Sequence, residues 1–142
     1  MNHSSLIKSL TYLGAAPFFL AVALKVTGNT FLGVEAHQWF LSYGLLILSF
    51  MAGTLWGQAL NDDKRVKAIA ITSNAITLLA WFAFLLGALS VAIVVLALGF
   101  IALYALEATL MQRLNKPRYY LALRRNVTAL VVVAHGIMFF LV

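Results

Sequence analysis

The chain has 142 residues, of which 63% are hydrophobic and 10% charged, with a formal net charge of +6 and no cysteine. Such a balance excludes a soluble domain, which needs far more polar surface, and the missing thiols exclude disulfides, thiolate metal sites and cysteine nucleophiles. The basic residues flank long apolar blocks, so the positive excess reads as membrane topology and contact with anionic lipid headgroups, not as nucleic-acid binding.

The pattern predicts an all-α integral membrane protein, a single five-helix transmembrane domain over 1–142 with spans at about 6–26, 38–60, 66–87, 90–113 and 119–141. Each span meets the roughly 20 residues that cross about 30 Å of hydrocarbon. The first follows Lys8 and contains Pro17, where a kink is expected. Lys8, the apolar run and Ala21-Val22-Ala23 also fit a signal peptide with a cleavage site. A retained helix is the expectation. Residues 27–37 form the one loop of length and mixed polarity, and spans three and four are joined by a short apolar turn.

Five spans place the termini on opposite sides. With the N-terminus inside, the inner segments hold Lys8, Lys64, Arg65, Lys67, Arg113, Lys116, Arg118, Arg124 and Arg125, and Lys25 falls outside. The positive-inside rule therefore predicts an inner N-terminus and an outer C-terminus. No internal repeat suggests an inverted-repeat transporter.

In the second span Ser49, Gly53, Gly57 and Asn61 recur every four residues. Stacked on one helix face, they form a small-xxx-small stripe that predicts close approach of another helix, with Trp56 beside it near the interface. Trp39, Tyr43, Tyr119 and Tyr120 are expected in the interfacial aromatic belts.

Three stretches carry a resemblance to a known family. They are Leu13-Gly14-Ala15-Ala16-Pro17-Phe18, then Tyr43-Gly44 through Ser49-Phe50 to Gly53, Trp56 and Gly57, and finally Pro117-Arg118-Tyr119-Tyr120-Leu121-Ala122-Leu123-Arg124. Together they resemble an uncharacterised family of small bacterial membrane proteins, a domain of unknown function shared with mitochondrial transmembrane protein sixty-nine. Two positions depart from that pattern. Leu55 stands where relatives carry a histidine before the second-helix tryptophan, and Tyr119 where they carry a tryptophan. The resemblance implies a multi-pass protein of the bacterial cytoplasmic (inner) membrane with no established activity.

Acidic groups inside spans are rare and costly, which singles out Glu107. Glu107 and Arg124 lie almost equally far from the middle of the 114–118 connection, hence at similar depth on antiparallel helices. An ion pair of Glu107 with Arg124 or Arg125 follows. It either clips two helices together or sets a proton- or ligand-binding carboxylate beside a cavity. His135 shares a face with Arg124 and Thr128, and reads as a hydrogen-bonded helix contact or as a proton relay meeting Glu107 through water. Asn74, with Thr77 and Trp81 on its face, is expected to glue helices, joined by Gln58 and Asn61. Asp62 and Asp63 read as turn residues beside Lys64 and Arg65. Arg113, Lys116 and Arg118 are candidates for contact with anionic headgroups such as cardiolipin.

No phosphate loop, metal cluster or nucleophile–base arrangement appears, so no cofactor or metal is expected. The leading reading is a non-catalytic subunit, assembly partner or lipid-binding protein of a membrane complex, associated with other subunits or with itself. The alternatives are an oligomeric proton-coupled transporter or channel using Glu107, His135 and Asn74, and a quinone-binding or other membrane enzyme using Trp56, His135 and the inner arginines. A reporter fused after Val142 is expected to be active on the outer face only. Cytoplasmic activity would exclude the five-span topology.

Overall fold

The computed structural model describes residues 3–60, 66–114 and 118–142. They form five α-helices: α1 (His3–Thr27), α2 (Ala36–Ala59), α3 (Val66–Leu85), α4 (Leu89–Leu114) and α5 (Arg118–Leu141). Each contains a stretch long and apolar enough to cross a membrane. Successive helices pack against each other, α5 returns to α1, and α2 also meets α4 through the middle. The result is a closed bundle with α2 and α4 at its centre.

The connections follow local chemistry. Helix α1 continues through Pro17, which has no N–H for the carbonyl of Leu13. The next carbonyl, that of Gly14, accepts a hydrogen bond from the Tyr43 hydroxyl of α2 at 2.7 Å, so a neighbouring helix supplies a donor beside the proline. Between α1 and α2, Phe31 and Val34 pair across a tight turn, and the Trp39 indole donates to the Phe31 carbonyl at 3.1 Å. After α3 the chain reverses at Gly87, whose φ of +76° suits glycine, into the short turn before α4.

The distribution of side chains is inverted relative to a soluble protein. Leu20, Phe50, Ile71, Leu98 and Phe140 point outward, while Ser73, Glu107, Arg124, Thr128 and His135 are buried. Phe18 forms the hub of the core. Its ring lies 5.2 Å from Phe40, 5.0 Å from Tyr43, 6.0 Å from Phe100 and 5.3 Å from His135, so four helices meet on one side chain.

Close approach is made by glycines other than those in the four-residue stripe. A Cβ on Gly44 would stand 3.1 Å from Leu96, and one on Gly99 would stand 3.2 Å from Ile76 and 3.3 Å from Leu48. Ser49, Gly53 and Gly57 are exposed, and a Cβ at either glycine meets nothing within 4 Å. Within this chain the expectation that the stripe packs a neighbouring helix is therefore corrected. The buried face of α2 is Leu41, Gly44, Leu48, Ala52 and Leu55. A small-residue repeat marks where a helix can be approached, and it carries no information on which partner uses it.

These contacts set an expectation for monomeric protein in detergent. Gly99→Leu overpacks the α2–α3–α4 contact and lowers the unfolding free energy by about 1–3 kcal/mol, while Gly53→Leu leaves it unchanged. Equal losses in a denaturation series would return the stripe to the interior.

Candidate functional site: a buried ion pair beside a half-open groove

Glu107 on α4 and Arg124 on α5 face each other inside the bundle, 3% and 6% exposed. Arg124 Nε donates to Glu107 Oε1 at 2.5 Å. The other carboxylate oxygen, Oε2, accepts from Gln58 Nε2 of α2 at 3.3 Å. One carboxylate thus ties three helices together. Bringing a charge out of water is tolerable only when it is paired and its remaining hydrogen-bonding sites are filled, and both conditions are met at Glu107. Arg125, the other partner considered for Glu107, is exposed.

His135 lies farther along the same face of α5, 1% exposed. Its Nδ1 lies 2.7 Å from the Val131 carbonyl, so it donates there and Nε2 is the acceptor. Nε2 is buried with no partner among the described residues. The ring is enclosed by Phe40 at 4.7 Å, Phe18 at 5.3 Å and Phe100 at 5.5 Å. Glu107 and His135 are not brought together. Eleven residues of α5 separate Arg124 from His135, about 16 Å of helix rise, and the expected meeting of carboxylate and imidazole is corrected accordingly.

Within this chain Asn74 does not act as helix glue, because it is exposed and the inward polar residue of α3 is Ser73. Ser73 Oγ donates to the Ala70 carbonyl at 3.2 Å, and Thr77 Oγ1 donates to that of Ser73 at 3.0 Å. Trp81 is exposed as well. Trp56 sits at the α2–α3 seam, its indole donating to the Ala70 carbonyl at 3.3 Å. Asn61, Asp62, Asp63 and Lys116, with the side chains of Arg113 and Arg118, lie outside the described residues.

Near the start of α1 a groove of about 350 Å³ lies between α1, α2 and α5. There α1 leans on α5, with Lys8 Nζ 5.5 Å from the centre of the Tyr119 ring and Tyr12 accepting from Asn126 Nδ2 at 3.4 Å. Leu10, Phe50 and Thr54 form exposed edges, and Ala15, Phe18, Phe100, Val127 and Val131 contribute its buried floor. Among the described residues Arg124 is the one charged residue in the lining. Its Nη2 lies 3.7 Å from Met51 Sδ, a weak acceptor. Tyr120, Arg124 and Thr128, spaced four apart on α5, all reach the groove.

Sequence reasoning missed Gln58 as a partner of Glu107, the Met51 contact and the groove itself. The signal for Gln58 was its amide inside a span near the end of α2 that adjoins α3. No sequence signal marks the groove, because its lining comes from α1, α2, α4 and α5 together.

The site and fold define a class: a multi-pass helical membrane protein whose interior is held by a buried, hydrogen-bonded ion pair. The chain belongs to the DUF3429 family, described as proteins of unknown function, whose model matches residues 4–140. No solved structure matches it.

The pair should behave as a unit. Glu107→Leu alone strands a buried guanidinium and is expected to cost about 3–5 kcal/mol, while adding Arg124→Leu recovers part of that loss. A double-mutant cycle by denaturant unfolding in detergent measures the coupling. Strictly additive losses would show that neither residue depends on the other.

Proposed function

We propose that this chain is a non-catalytic protein of the bacterial cytoplasmic membrane, N-terminus inside, that holds a single lipid-like amphiphile in the groove between α1, α2 and α5. The observation that carries this reading is the placement of Arg124 on the floor of a groove that is otherwise largely apolar and open on one side. Its volume of about 350 Å³ is within the usual range for small-molecule sites of about 300–1,000 Å³. A tail entering from the bilayer meets apolar walls, and a polar head meets the donors of α5. The inner N-terminus rests on the nine-to-one distribution of basic residues.

A second reading, as a subunit or assembly partner of a larger membrane complex, is favoured by a separate observation. Asn74, Ser49, Gly53 and Gly57 lie within apolar spans yet are exposed. Polar or small groups at such positions suit contact with another helix better than contact with lipid tails. The two readings are compatible, since a subunit can also carry a lipid.

Native mass spectrometry of protein released from native nanodiscs tests the first reading. Wild type is expected to retain one amphiphile per chain, and Gly14→Leu to lose it. Gly14 lines the groove, and a Cβ there meets nothing within 4 Å, so the variant fills the groove without disturbing the core. Equal retention by both proteins, or none by wild type, would overturn the proposal.

A further inference from the structure

We infer that the occupant of the α1–α2–α5 groove is a long-tailed quinone, held through its carbonyl oxygens by donors of α5. This rests on the amphiphile-binding reading above and specifies the chemistry of the head.

Charge decides the first step. Among the described residues Arg124 is the one charged residue lining the groove, and its Nε is already engaged by Glu107. The pair is neutral as a whole. An anionic headgroup would set a second negative charge near the Glu107 carboxylate in a site of low dielectric, where like charges repel strongly. A neutral head leaves the pair intact and takes only the guanidinium protons that point elsewhere. Among the described residues the remaining contact of the guanidinium is the Met51 thioether at 3.7 Å, which a carbonyl oxygen outcompetes as an acceptor.

The polar lining decides the second. Thr11 and Thr54 donate their hydroxyls to carbonyls of their own helices, of Ile7 at 2.6 Å and Met51 at 2.8 Å. Thr128 and Tyr120 make no side-chain hydrogen bond among the described residues, and with Arg124 they form a column on one face of α5. The column has donors to give. The Arg124 guanidinium can only donate, so the complementary ligand presents acceptors, and a quinone ring presents two carbonyl oxygens. A fatty acid or phospholipid brings charge.

Shape agrees. Phe18, Phe50, Phe100 and Tyr120 are among the lining residues, and aromatic side chains suit contact with a planar conjugated ring. From Tyr120 to Val131 the groove follows eleven residues of α5, about 16 Å. That length takes a ring and the first part of its tail, and the rest leaves past Leu10 and Phe50 into lipid.

The test uses the full chain in nanodiscs of zwitterionic phosphatidylcholine, titrated with decyl-benzoquinone and followed by native mass spectrometry. Dioleoylglycerol and phosphatidylglycerol are run as competitors, and unliganded melting controls for folding. Wild type is expected to bind one decyl-benzoquinone per chain saturably, and Gly14→Leu to bind none. Thr128→Val, which keeps shape and leaves the ion pair untouched, is expected to bind about three- to tenfold more weakly, the loss of one hydrogen bond. Unchanged affinity in Thr128→Val overturns the assignment. Binding of phosphatidylglycerol or diacylglycerol in place of the quinone, abolished by Gly14→Leu, overturns the quinone head and leaves the amphiphile reading standing. If Gly14→Leu displaces no amphiphile at all, both proposals fall.

Discussion

The arrangement of this bundle depends on keeping one carboxylate and one guanidinium out of both water and lipid. Each ion alone inside the apolar interior would cost several kcal/mol even after relaxation. The cost is offset only if Glu107 and Arg124 meet and the remaining carboxylate oxygen finds a donor, which Gln58 provides. Those requirements fix the depth of α4 against α5 and place the end of α2 beside both. Loose hydrophobic contact would impose no such register, because lipid tails are as apolar as the helices they surround.

Away from the pair, shape takes over from charge. The approach of α2 to α4 is set by Gly44 under Leu96 and Gly99 under Leu48, where even one added carbon stands closer than ordinary contact. Phe18 then fills the space where α1 meets α2, α4 and α5, edge-on to Phe40, Tyr43 and Phe100. At this level α1 and α2 are joined. Towards the start of α1 that helix meets α5 through Lys8 with Tyr119 and Tyr12 with Asn126, and the groove lies between α1, α2 and α5. Its floor contains the outer side of the ion pair, so the group that fixes the bundle also lines its opening.

Much of this architecture was legible in the chain. Span number and order follow from length and hydropathy, and the meeting of Glu107 with Arg124 follows from counting residues outward from one short connection, since antiparallel helices rise equally from their shared turn. The rotational phase of each helix was not legible. In a soluble helix the polar face shows which side is out, but these spans are apolar all round. A difference of one residue, about 100° of rotation, separates exposed Asn74 from buried Ser73. The same ambiguity put Gly53 and Gly57 on a packing face and overlooked Gly44 and Gly99. Helix α5 was the exception, because Arg124, Thr128 and His135 mark a single polar stripe, and all three are buried.

That stripe also bears on the transport alternative. A proton path through the bundle needs polar groups at successive depths, each open to the next. Both carboxylate oxygens of Glu107 are already engaged, one by Arg124 and one by Gln58. His135 has a free acceptor in Nε2, yet its ring is walled by Phe18, Phe40 and Phe100, and the stretch of α5 between it and Arg124 presents Val127, Thr128 and Val131 to the interior. Thr128 is the one polar side chain among those three, and it reaches the groove. The polar residues of α5 therefore stand apart, one as part of a clasp, one in the lining of the groove and one as a ring packed among aromatics. Within the described residues of one chain they do not form a continuous line of polar groups.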